Sequence, residues 1–227
     1  MGESGMDRLP EGCVAHAIAL TSPRDVCRFS AVSSAFRSAA AYDTVWDRFL
    51  PSDYRSILSR AVRPVVCSSK RDLFFRLCDS LLIDAGKMSF WLERSSGAKC
   101  YMLSARSLSI TWGDTPQYWR WHSSTHVVRL QPNDSPSRVR ARRNRIRFGP
   151  LVRWGAMMLE IAADQEASAA AAEVGDARDD GWMEAELGEF YNEEGEDGEV
   201  EMSLMEVKGG HWKKGLIIQG IEIRPKA

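Results

Sequence analysis

The sequence predicts an α+β chain: a helical amino-terminal unit, then an antiparallel β-sandwich that is incomplete in its middle. Three observations predict it. Helix start and stop signals recur at close intervals over residues 9–60. Period-two alternation of apolar and polar residues takes over after Gly97 and returns near the end. Between Trp121 and Arg178 that alternation gives way to arginine-rich and alanine-rich stretches. The 227 residues suit one medium domain or two small ones. A hydrophobic content of 44% supplies a core and excludes wholesale disorder.

The helices come first. Ser22-Pro23-Arg24-Asp25 offers an N-cap serine, a proline at the first helical position and an acid three residues after the cap. The helix it opens presents Val26 and Phe29. A second helix takes Val32, Phe36 and Ala39-Ala40 on one face. Asp43 or Thr44 caps a third, with Val45, Trp46, Phe49 and Leu50 before Pro51 stops it. Ser52 starts a fourth, with Tyr54, Ile57 and Leu58. A bundle this small rarely buries enough surface to stand alone, so another surface should cover its apolar residues. Residues 61–98 read as a bridge, with a helix from Lys70 to Asp79 and turns at Gly86 and Arg94-Ser95-Ser96-Gly97.

Strands follow. Leu108, Ile110 and Trp112 alternate with Ser109 and Thr111, and Gly113-Asp114-Thr115-Pro116 turns the chain toward Tyr118, Trp119 and Trp121. Residues 182–187 and 199–206 alternate again, and Leu216 to Ile223 is a last apolar strand broken by Gly220. Short strands separated by turns, with no long helix between them, indicate antiparallel sheets packed as a sandwich.

Several function classes are excluded by what the chain lacks. No run of 18 apolar residues exists, so no membrane-spanning helix is expected. The first twenty residues are too polar for a signal peptide. Five cysteines without paired spacing indicate a reducing compartment, cytoplasm or nucleus. His16, His122, His126 and His211 are scattered without metal-ligand spacing, and no phosphate loop or nucleophile elbow occurs. No metal, cofactor or catalytic residue is assigned. Arg138, Arg140, Arg142, Arg143, Arg145 and Arg147 crowd ten residues, a pattern that fits nucleic-acid binding. No aromatics interleave for base stacking, so that reading is not favoured.

The residues then resemble a family. Leu9-Pro10-Glu11, Ile18, Leu20, Pro23-Arg24-Asp25, Val32-Ser33, Phe36-Arg37 and Val45-Trp46 look like an F-box, in the version found in plant F-box proteins with a phloem protein 2 lectin domain. The resemblance implies docking on a Skp-type adaptor, which bridges to a cullin in a ubiquitin ligase. It implies that Leu9, Pro10, Ile18, Leu20, Val32, Phe36 and Trp46 contact the adaptor or shape the contacting helices. From the residues alone, Phe36 and Trp46 suit core packing equally well, whereas Leu9-Pro10 precedes the helices and is harder to read as core.

Residues 99–119 resemble the opening of the phloem protein 2 domain. Asp180 to Met202 and Trp212 to Pro225 resemble its ending. That family is related to the tobacco leaf agglutinin and binds glycans. The resemblance makes Trp112 and Trp119 stacking platforms and Glu189 and Glu196 acidic hydrogen-bonding groups. The chemistry is coherent, since indoles pack on sugar faces and carboxylates accept from sugar hydroxyls. Alternation also fits Trp112 to a core position, and Trp119 has the more polar surroundings.

Together these readings give an F-box unit at 1–60, a helical linker at 61–98, and a lectin domain at 99–227 with an atypical insert at 122–178. The expected role is a non-catalytic substrate receptor of an SCF-type ubiquitin ligase that recognises glycoproteins or oligosaccharides. The alternative is a nucleocytoplasmic lectin without a ligase role. Within the insert, the composition is of the kind a translated intron or out-of-frame exon gives. Residues 131–147 are expected to be exposed and poorly ordered, because clustered arginines repel. Ala162–Ala172 has helical propensity. The flanking strands are expected to lack neighbours.

Overall fold

The computed structural model describes residues 9–110, 113–117, 119–122, 127–130, 138–141, 156–161, 174–177, 183–185, 203–205 and 216–225. The chain divides into two compact units. The first is Met1–Gly86 with Phe90–Cys100, and the second is Lys87–Ser89 with Tyr101–Ala227.

Among the described residues of the first unit, six α-helices form: α1 (Glu11–Ile18), α2 (Pro23–Phe29), α3 (Ser34–Ala39), α4 (Asp43–Asp47), α5 (Tyr54–Ser59) and α6 (Lys70–Leu77). Local chemistry sets their starts. Ser22 Oγ accepts the Asp25 N–H at 3.2 Å and donates to the Asp25 carboxylate at 2.8 Å, with Pro23 in the first turn. Ser33 caps α3 through the Phe36 N–H at 3.3 Å, and Ser69 caps α6 through the Asp72 N–H at 3.0 Å. The Ser33 cap corrects one expectation. Its extended backbone (φ −151°) starts the helix after Val32, which stands outside it at 70% exposure.

The core of this unit is aromatic. Trp46 is 1% exposed and meets Phe74 and Phe75 of α6 at ring-centroid distances of 5.3 and 5.2 Å, and Phe49 at 6.0 Å. Asp43 at the start of α4 accepts the Lys70 N–H at the start of α6, at 2.8 Å. Val26, Val45, Ile57, Leu77 and Ile83 are buried as well. The expected turn at 94–97 is present, closed by the Gly97 N–H on the Glu93 carbonyl at 2.7 Å. Gly97 has φ +75°, and a Cβ there would lie 3.0 Å from the Phe49 carbonyl oxygen, so the turn requires glycine.

The second unit is antiparallel in the ladders described next. Its central strand is β12 (Leu216–Ile223). On one edge it pairs with β8 (Ala156–Ile161). On the other it pairs with β3 (Lys99–Ser104) through residues 220–223 and with β6 (Val127–Leu130) through residues 217–218. Beyond β8 lie β10 (Met183–Ala185) and β9 (Val174–Ala177), and β5 (Trp119–His122) pairs with β6. A second sheet sets β7 (Arg138–Ala141) between β4 (Leu108–Ile110) and β11 (Ser203–Met205). Two strands remain, β1 (Leu81–Ile83) and β2 (Met88–Leu92). The register with β8 shifts between Ile218 and Gly220, and a Cβ on Gly220 would run into the Leu103 carbonyl oxygen.

The segment at 122–178 therefore departs from expectation. It supplies β6, β7, β8 and β9, so β12 has neighbours on both edges. Arg138–Ala141, expected to be unpaired, is the middle strand of three. Neighbours explain this, because β4 and β11 pair with its backbone on both edges. The Ala162–Ala172 run lies outside the described residues.

Candidate functional site

The seven residues assigned to docking divide by burial. Leu9, Leu20 and Val32 are 50%, 60% and 70% exposed, and Pro10 is exposed as well. Pro10 occupies the N-cap position of α1, where its carbonyl accepts the Cys13 and Val14 N–H groups at 2.9 and 3.2 Å. Leu9 and Leu20 thus flank the two ends of an eight-residue helix about 12 Å long. Phe36 is half-buried and stacked on Phe29 at 5.7 Å. Ile18 and Trp46 are core residues, 3% and 1% exposed. The Trp46 indole N–H donates to the Ala40 carbonyl at 2.7 Å, which satisfies its one polar group inside the unit. These two offer a partner no direct surface, and their part is to hold the helices in place.

A shallow groove of about 510 Å³ runs between α1 and α4, lined by Ala15, His16, Ala19, Tyr42, Asp47 and Arg48 among others. Tyr42 donates to Glu11 at 3.0 Å, and that hydrogen bond raises its phenol above the usual range. On α5, the Tyr54 hydroxyl accepts from Lys70 and from Arg55. The Lys70 hydrogen bond is the main reason its phenol is lowered. Lys70 is in turn raised, first by Tyr54 and then by Asp47, whose carboxylate lies 2.9 Å away. The half-buried Cys78 thiol is pushed up to about 11 by burial. These groups hold one another in place, and no nucleophile–base pair is assembled from them. Among the described residues no three metal-ligating side chains converge, and no helix is long and apolar enough to cross a membrane.

Sequence reasoning missed three exposed apolar residues of the first unit. Val62, Val66 and Leu82 are 50%, 76% and 45% exposed, and the Val62 N–H donates to the Leu82 carbonyl at 2.9 Å. The signal lies in the β-branched run around Pro64, inside the stretch whose sequence indicates a bridge.

Of the residues assigned to sugar binding, Trp119 lies in β5, paired with Leu130 of β6. Trp112, Glu189 and Glu196 lie outside the described residues. Two positions along β5, Trp121 is half-buried with the Arg106 guanidinium 4.7 Å above its ring.

Comparison with known proteins matches both units. The family model of the F-box domain matches residues 6–48, and that of phloem protein 2 matches residues 98–133 and 134–225. The junction of the two phloem protein 2 stretches falls inside the segment whose composition is atypical. Among curated relatives, F-box protein At2g02240 of Arabidopsis thaliana is 39% identical over 99% of this chain and 81% of its own length. F-box protein PP2-B10 of the same plant is 39% identical over 98% of this chain and 94% of its own. Its alignment runs to 260 positions against 227 residues here, so the relative has positions this chain lacks.

Proposed function

The chain belongs to the plant F-box proteins that carry a phloem protein 2 domain, and on that premise we propose that it is a substrate-recognition subunit of an SCF-type ubiquitin ligase. In this reading the first unit docks on a Skp-type adaptor, which bridges to a cullin, and the second unit recognises a glycoprotein. The chain positions its target and does no chemistry; partner subunits transfer the ubiquitin. It works in the cytoplasm and nucleus. One observation carries the docking reading: within the matched F-box, Leu9, Leu20 and Val32 stand exposed on a unit whose own core is already closed around Trp46. Apolar side chains held out beside the ends of helices are what a partner buries, at about 1.5–3 kcal/mol for each one fully covered.

The test is replacement of Leu9 and Pro10 by alanine in the full chain. The expected outcome is at least tenfold weaker capture of a purified Skp-type adaptor, with an unchanged melting transition. Undiminished capture sinks the assignment. For glycan recognition the support is the phloem protein 2 match together with the place of Trp119 on a strand of that unit. An indole is a large rigid surface on which a sugar ring can pack. Trp119→Ala should weaken binding on a glycan array while Glu193→Ala should not. Equal losses from both would mean that Trp112, Trp119, Glu189 and Glu196 are not the sugar site.

A further inference from the structure

Ubiquitin is joined to proteins through lysine amines, and the chain is uneven in where it keeps them. It has 23 arginines and 7 lysines. Residues 1–69, which include the whole F-box match, have eight arginines and no lysine. An arginine guanidinium stays protonated and cannot act as the acceptor.

The first unit retains two lysines, and both are tied down. Lys70 has 26% of its side chain exposed; its ammonium lies 2.9 Å from Asp47, donates to the Tyr54 hydroxyl, and sits 4.4 Å above the Tyr54 ring. Lys99 has 10% of its side chain exposed, with its ammonium 3.2 and 3.4 Å from the two oxygens of Asp53. An acceptor amine must shed its proton and reach a carbonyl carbon on another protein. Tyr54 and then Asp47 favour the protonated form of Lys70, and for Lys99 its burial against Asp53 denies the approach. Lys87, in the second unit, is exposed.

We infer that the first unit is built as a poor acceptor for the ubiquitin its own ligase transfers, so that self-modification falls on Lys87 and on Lys208, Lys213, Lys214 and Lys226. The inference rests on the ligase reading above. The step itself is ordinary aminolysis. The neutral Nζ attacks the ubiquitin carboxyl-terminal carbonyl carbon, held as a thioester on a ubiquitin-conjugating enzyme. The C–N isopeptide bond forms, the C–S bond breaks, and the departing thiol takes the proton released by the amine. A ligase so arranged can turn over its receptor without attaching a chain to the surface that holds the adaptor.

The experiment uses the full chain in complex with a Skp-type adaptor and a cullin, supplied with activating enzyme, charged conjugating enzyme and ATP, and maps the modified lysines by mass spectrometry. Isopeptide remnants are expected at Lys87 or at lysines beyond residue 200, and none at Lys70 or Lys99. The variant Arg63→Lys with Arg94→Lys, both exposed positions of the first unit, should gain remnants at the new lysines. Remnants at Lys70 or Lys99 of the unaltered chain overturn the inference. So does a lack of remnants at the introduced lysines, because the first unit is then merely out of reach. Capture of the adaptor is scored separately, so a failed ligase reading is told apart from a failed inference.

Discussion

Trp46 and Val32 show how burial divides residues that one motif groups together. Trp46 is enclosed by Phe49, Phe74 and Phe75, and its indole N–H is satisfied by Ala40. Val32 is 70% exposed in the turn before α3. Trp46→Ala should cost about 3–5 kcal/mol, the range for emptying a buried aromatic site, and should lose adaptor binding only as a consequence of unfolding. Val32→Ser should leave stability within about 0.5 kcal/mol yet weaken capture of the adaptor. Urea melts read beside pull-down distinguish the two; a loss of stability in Val32→Ser would contradict its exposure. The motif names both residues, but only the folded chain says which of them a partner can reach.

At the scale of elements, α2 is the case where local chemistry suffices. Its serine cap, proline and acid sit within four residues, and the structure forms the bonds that these residue types allow. The Ser22 hydrogen bond is the first cause that lowers the Asp25 carboxyl; desolvation, next in size, opposes it, and Arg28 and Arg24 add to the lowering. A carboxyl with a lowered folded pKa contributes stability above its ordinary value near 3.8, and loses it as pH falls through the lower folded value. Ser22→Ala should therefore cost about 1 kcal/mol at neutral pH. It should also narrow the difference in stability between neutral and acid solution, measured by urea melts on each side of that window. An unchanged acid dependence would mean that Asp25 draws its shift from the arginines. Val32, by contrast, fits the apolar period of α3 but lies before its cap. Periodicity cannot tell a helix face from the residue that precedes a capping serine, and Ser33 decides it.

For the whole molecule, the question posed by so small a helical bundle was what covers its apolar residues. Part of the answer lies within the chain. Phe74 and Phe75 of α6 close over Trp46, and Asp43 and Lys70 tie α4 to α6. The first compact unit accordingly reaches past residue 60, taking in α6 and Phe90–Cys100. A fragment ending at residue 60 should show no cooperative melting transition, whereas one ending at residue 100 should melt cooperatively, by circular dichroism on heating. A cooperative transition in the shorter fragment would show that α6 is dispensable to the core. Exposed Leu9, Leu20 and Val32 are left over after this closure, which keeps the docking reading intact at this scale.

By itself the sequence determined what depends on near neighbours. The capped start of α2, the helix beginning at Lys70, the glycine turn at 94–97 and the last strand, observed as Leu216–Ile223, were all legible. Each is governed by bonds or alternation within a few residues. The spaced positions from Leu9 to Trp46 were also enough to indicate the F-box. Tertiary structure alone decided which of those positions stay exposed, because exposure depends on rings brought in from α6 about thirty residues away along the chain. It also decided the fate of the arginine stretch. Composition argued for an unpaired segment, but a strand is stabilised by its neighbours, and β4 and β11 supply them to Arg138–Ala141. Gly220 had the same ambiguity. In sequence it interrupts an apolar strand; in the folded unit it is the position where the Leu103 carbonyl approaches too closely for any side chain.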